Sequence, residues 1–117
     1  MILKEEEIPK VLNKVKIAFP NFTNWEYNNK IDEYQMYFGF SLWGEYVSNS
    51  KHFYVTFNIF DKTWSGTLSI GKPDYYWSSA DFGDACLVNT REYKTLEKAI
   101  SMLKKRIADL FRAFSID

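Results

Sequence analysis

The stretch that decides the fold runs from Glu33 to Ile70 and reads EYQMYFGFSLWGEYVSNSKHFYVTFNIFDKTWSGTLSI. Tyr34, Met36, Phe38, Phe40 and Leu42 are apolar at every second position, with Gln35, Tyr37, Gly39, Ser41 and Trp43 between them. A side-chain period of two puts each set on its own face of a strand. Phe53, Val55, Phe57 and Ile59 repeat the pattern against His52, Tyr54, Thr56, Asn58 and Phe60. Trp64, Gly66, Leu68 and Ile70 do so against Thr63, Ser65, Thr67 and Ser69. Aromatic and β-branched residues suit such pleated surfaces.

The connections require antiparallel pairing. Glu45 to Lys51 is polar and contains Ser48-Asn49-Ser50, so it reads as a loop. Asp61-Lys62-Thr63 is short enough only for a hairpin, because a parallel crossover needs a dozen residues or more. Gly66 marks a bulge or a close backbone approach. Gly71-Lys72-Pro73-Asp74 is a turn.

One sheet face is core: Met36, Phe38, Phe40, Leu42, Phe53, Val55, Phe57, Ile59, Leu68 and Ile70. The other sets Tyr37, Trp43, Tyr54 and Phe60 among small polar residues. Large aromatics bury about 150–250 Å² each, so a cluster of four presents roughly 600–1,000 Å². The largest apolar patch on a typical monomer is about 300–600 Å². The expectation is a face covered by a twin subunit, a partner or a stacked ligand.

Helical periodicity flanks the strands. Ile8, Val11, Leu12, Val15, Ala18 and Phe19 form one stripe of a helix from about Glu5 to Phe19. Pro9 suits its first turn, and Glu5, Glu6 and Glu7 suit the positive end of its dipole. Trp25 is expected under the sheet edge, within a short strand from Trp25 to Asn28. Tyr75-Tyr76-Trp77 reads as the start of a fourth strand and Ala85-Cys86-Leu87-Val88 as a further strand-like run. Thr95 is a fitting N-cap for a last helix. Leu96, Ala99, Ile100, Leu103, Ile107, Leu110, Phe111 and Phe114 are its stripe. The fold class that follows is α+β: N-terminal helix, antiparallel β-meander of four to five strands, C-terminal helix, both helices on one face of the sheet.

The chain has 117 residues, 46% of them hydrophobic and 26% charged, which suits a single domain with its own core. Aromatic content is high at 19%. No apolar run of membrane-spanning length occurs. Met1-Ile2-Leu3-Lys4-Glu5-Glu6-Glu7 lacks the basic-then-apolar order of a signal peptide. With one cysteine, Cys86, no internal disulfide forms, and the expected compartment is the reducing cytoplasm.

Formal net charge is zero. Trp25 to Asp84 carries eight acids against four lysines, a net of −4, whereas Ala85 to Asp117 carries seven bases against four acids, a net of +3. The aromatic region is thus the acidic one, which argues against nucleic acid, a ligand that wants a basic groove.

Motifs for chemistry are missing from the pattern. His52 and Cys86 are the sole members of their types, too few for a structural zinc site, and Ala-Cys-Leu-Val reads as an inert buried thiol. Asp74, Asp81 and Asp84 do not match calcium-loop spacing. Glu33 and Glu45 read as solvated strand ends rather than an acid–base pair. Asp81-Phe82-Gly83 copies a kinase tripeptide without a glycine-rich loop. No cofactor and no metal is expected.

The sharpest local feature is Asp74 to Asp84, where three acids and four aromatics share eleven residues. Aromatics with polar tips are good interface anchors, and acids around them steer a basic partner. Asp74, Tyr75, Trp77, Asp81 and Asp84 are the expected partner-binding residues. The functional expectation is a small non-catalytic protein-binding module, of the immunity, antitoxin or inhibitor type, and a homodimer. The alternative is a ligand-binding domain that stacks a neutral ligand on Tyr37, Trp43, Tyr54 and Phe60.

Overall fold

A computed structural model describes residues 3–29, 40–71 and 86–114. The elements in order are α1 (Ile8–Ala18), β1 (Thr23–Asn28), β2 (Phe40–Ser48), β3 (Lys51–Phe60), β4 (Thr63–Ile70), β5 (Cys86–Asn89) and α2 (Leu96–Phe114). The strands form one antiparallel sheet in the order β1-β2-β3-β4-β5, so among the described residues β1 and β5 are its edges. This is the expected α+β arrangement. Tyr34 to Gly39 and Tyr75 to Trp77, expected in strands, lie outside the described residues.

The loop expected over Glu45 to Lys51 is a correction. β2 continues to Ser48, and the connection is the two residues Asn49 and Ser50, with φ of 52° and 65°. Asp61 and Lys62 join β3 to β4 in the same way, with φ of 50° and 66°. Two central residues at positive φ give a turn whose twist matches that of the flanking strands. The register follows from the turns: Ser48 faces Lys51, Glu45 faces Tyr54 and Phe40 faces Ile59.

Phe40, Leu42, Val55, Phe57, Trp64 and Leu68 on the sheet join one buried cluster with Ile8, Val15 and Phe19 of the first helical segment and Leu96, Ala99 and Leu103 of α2. Full burial of a side chain like Phe57 contributes about 1.5–3 kcal/mol. Gly66 is a close approach and not a bulge in the β3–β4 ladder. A Cβ there would lie 2.7 Å from the Phe57 ring and 3.1 Å from Leu103. Gly44 makes room for Trp25 in the same way, at 2.7 Å. Trp25 is therefore tucked against the sheet, and its indole N–H donates to the Phe22 carbonyl at 3.1 Å.

The helix ends differ from the expectation in detail. α1 begins at Ile8, with Glu5, Glu6 and Glu7 in the preceding turn. In α2 the Thr95 hydroxyl caps the Lys98 N–H at 3.2 Å, as the sequence suggested. Its stripe is core only as far as Leu103. Ile107 is partly buried, while Phe111 and Phe114 are 65% and 73% exposed. Among the described residues no helix is long and apolar enough to cross a membrane.

Candidate functional site

Alternation along β2, β3 and β4 sends a second set of side chains to the face opposite the hydrophobic cluster. Cross-strand pairing aligns them in rows: Ser41 with Asn58 and Ser65, Trp43 with Thr56 and Thr67, Glu45 with Tyr54 and Ser69. Trp43 and Tyr54 were expected to be open aromatics on this face. They are only 8% and 5% exposed within the single chain, as deeply covered as much of the core. Phe60 is 47% exposed, at the hairpin end of β3. Six residues of strand, about 20 Å, separate it from Tyr54. The structure brings Trp43 and Tyr54 together and leaves Phe60 apart. Tyr37 lies outside the described residues, as do Asp74, Tyr75, Trp77, Asp81 and Asp84.

Polar groups hold Trp43 and Tyr54. The Tyr54 hydroxyl donates to Glu45 Oε2, and the indole N–H of Trp43 donates to Glu26 Oε2 at 3.1 Å. His52 Nδ1 lies 3.1 Å from Glu45 Oε2, and Asn24 Nδ2 donates to Glu45 Oε1 at 3.2 Å. Three neighbours thus converge on one carboxylate that is 18% exposed. Glu45 is not the solvated strand end expected from its neighbours in sequence.

This geometry sets the protonation states. The Tyr54 hydrogen bond first, then those from His52 and Asn24, hold the Glu45 carboxyl down at about 2. Burial first, then the hydrogen bond to Glu45, pushes Tyr54 up to about 12. An ionised acceptor and a neutral donor is the pairing that both shifts favour. On the edge strand β5, burial pushes the Cys86 thiol up, away from the thiolate a nucleophile needs.

Two clefts flank the edge strand β1. On the side opposite the helices, Asn24, Trp25, Glu26, Glu45 and Tyr54 line a cleft of about 380 Å³. On the helix side, Ile8, Pro9, Leu12 and Lys16 of α1 face Tyr27 and Asn28 across an open cleft of about 830 Å³. Consecutive residues of β1 serve opposite clefts, Glu26 the acidic one and Tyr27 the other. Ordinary strand alternation accounts for this, and a bulge between Thr23 and Glu26, with Asn24 at φ 53°, re-aims only the start of the strand.

The acidic cleft was not legible because Glu26 and Glu45 are far apart in sequence. A usable signal existed in Asn49-Ser50. Read as a two-residue turn, it sets Glu45 opposite Tyr54 at once. Among the described residues no three His, Cys, Asp or Glu side chains are grouped to hold a metal ion. The chain matches no protein-family model, no curated protein and no solved structure.

Proposed function

We propose that this chain is a non-catalytic protein-binding module, of the immunity, antitoxin or inhibitor type, which holds a basic partner protein in the reducing cytoplasm. The observation that carries the reading is the cleft beside β1. It combines two carboxylates, Glu26 and Glu45, with the hydroxyl-bearing side chain of Tyr54. Fixed carboxylates suit a lysine or arginine head. Glu45 is positioned and ionised before any partner arrives, so binding need not order it. The acidic, aromatic sequence from Asp74 to Asp84 supports the same partner chemistry.

The test is co-expression with the basic products of the flanking genes, followed by light scattering. A complex of defined stoichiometry that weakens steeply with salt supports the reading. Binding to none of them, with the chain a free monomer of 13.9 kDa, counts against both the module and the expected homodimer.

A second reading has an observation of its own. Thr56 Oγ1 and Ser69 Oγ are buried without a hydrogen-bond partner on the face that holds Trp43 and Tyr54. Orphaned buried hydroxyls call for water or a polar ligand. A neutral small molecule with polar groups at Thr56 and Ser69 would satisfy them. Tryptophan fluorescence titrated with nucleosides and sugars tests this, and an unresponsive spectrum across both panels removes it.

A further inference from the structure

Both clefts described above run along the same strand, and that strand is an edge. β1 pairs with β2 on one side, and among the described residues no strand pairs with its other side. An edge strand presents backbone N–H and C=O groups to any extended chain laid beside it. Side chains of such a chain alternate between the two faces of the sheet. One set would enter the helix-side cleft, against Ile8, Leu12 and Tyr27. The other set would enter the cleft that carries Glu26 and Glu45.

We infer that β1 is a docking edge for an extended segment of the partner in which apolar residues alternate with lysine or arginine. This rests on the proposed reading of a module for a basic protein and specifies its surface. The bulge between Thr23 and Glu26 leaves a short regular edge, with Glu26, Tyr27 and Asn28 in continuous register with β2. Backbone pairing therefore sets the direction of the docked segment, and the two clefts select its side chains. Charge also tells the partner from a second copy. Self-pairing would bring the strand Thr-Asn-Trp-Glu-Tyr-Asn, which holds one acid and no base of its own, against itself. Like charges directly opposite one another across a strand pair are destabilising.

The test uses the full chain, labelled for amide NMR, and three short synthetic peptides. One alternates lysine with valine, one alternates glutamate with valine, and the third is the lysine–valine peptide with every second backbone nitrogen methylated. The expected result is binding of the first alone, with the largest shifts in Thr23–Asn28. Glu26→Gln keeps an acceptor for the Trp43 indole and removes the charge. It should weaken that binding about fivefold to tenfold, while Tyr27→Ala weakens the lysine–valine peptide without restoring the glutamate one. Equal binding of the acidic peptide, no binding at about 1 mM, or shifts centred away from β1 overturns the inference. A dimer of the chain alone with its shifts on β1 also overturns it, in favour of a second copy. A salt-sensitive complex with a flanking-gene product would in each case leave the broader reading standing.

Discussion

The two faces of the sheet use the same strands and are buried to similar depths, yet by different means. Phe40, Leu42, Val55 and Phe57 are fully buried among apolar side chains from both helices. One residue along, Ser41, Trp43, Tyr54, Thr56, Thr67 and Ser69 are buried as well, and most are polar. The first face gains from area removed from water and is indifferent to pH. The second depends on which polar groups find partners. Tyr54 and Trp43 reach carboxylates, and Ser41 donates to Asn58 at 2.5 Å. Among the described residues the hydroxyls of Thr56 and Ser69 find no hydrogen-bond partner. Burial alone therefore does not mark a hydrophobic core, and equal exposure hides unequal energetics.

The largest expected effect is on the apolar face. Phe57→Ala removes a ring enclosed by Phe19, Gly66 and the rest of the cluster. It should cost about 3–5 kcal/mol in urea unfolding, much the same at pH 4 and at pH 8, since no titrating group is involved. Gly66→Ala drives a methyl to 2.7 Å from that ring, and the loss should be about 1–3 kcal/mol. A neutral result would mean that Phe57 and Leu103 have room to move.

The polar face should show itself through pH. Glu45 sits at about 2 in the fold against an ordinary 4.5, so between those values the folded state binds fewer protons than the unfolded chain. Its contribution is therefore complete above pH 4.5 and is lost as pH falls from there towards 2. Tyr54 is raised from 10 to about 12, so the folded state binds more protons in that window. Its contribution is complete below pH 10 and is lost as pH rises to about 12. Thermal unfolding across pH should show both limbs. Tyr54→Phe should lower the melting temperature at pH 7 and remove the alkaline limb attributable to Tyr54 while shrinking the acid one. An unchanged profile would sink the network as a source of stability.

Two smaller effects sharpen the contrast. Thr56→Val replaces an orphaned hydroxyl with a methyl of like shape and should stabilise by about 1 kcal/mol in the same assay. A loss would reveal a bound water or ligand at Thr56. Least of all, Ser50→Gly and Lys62→Gly relieve non-glycine residues at φ of 65° and 66°. Each should gain at most about 1 kcal/mol, on either face alike, because the strain lies in the turn backbone.

Local pattern carried much of this architecture. Alternation at Phe40, Leu42, Val55 and Phe57 determined which side of each strand is apolar. Asp61-Lys62-Thr63 required a hairpin, and Thr95 marked the start of α2. These features depend on neighbours within a few residues, where steric and hydrogen-bonding rules are strong. Other features waited on the tertiary structure. Trp25 lies over Gly44, Glu45 collects Tyr54, His52 and Asn24, and Phe111 and Phe114 run past the covered part of their helix. The clefts on both sides of β1 exist because β1 ends up at the edge with α1 beside it. The sequence by itself determined that Phe40 to Leu42, Phe53 to Phe60 and Thr63 to Ile70 are strands and that Phe40, Leu42, Val55 and Phe57 share the apolar face, because side-chain period is a local property. Only the tertiary structure decided which polar groups are buried together and where the sheet stops, because register and strand order join residues that are far apart along the chain.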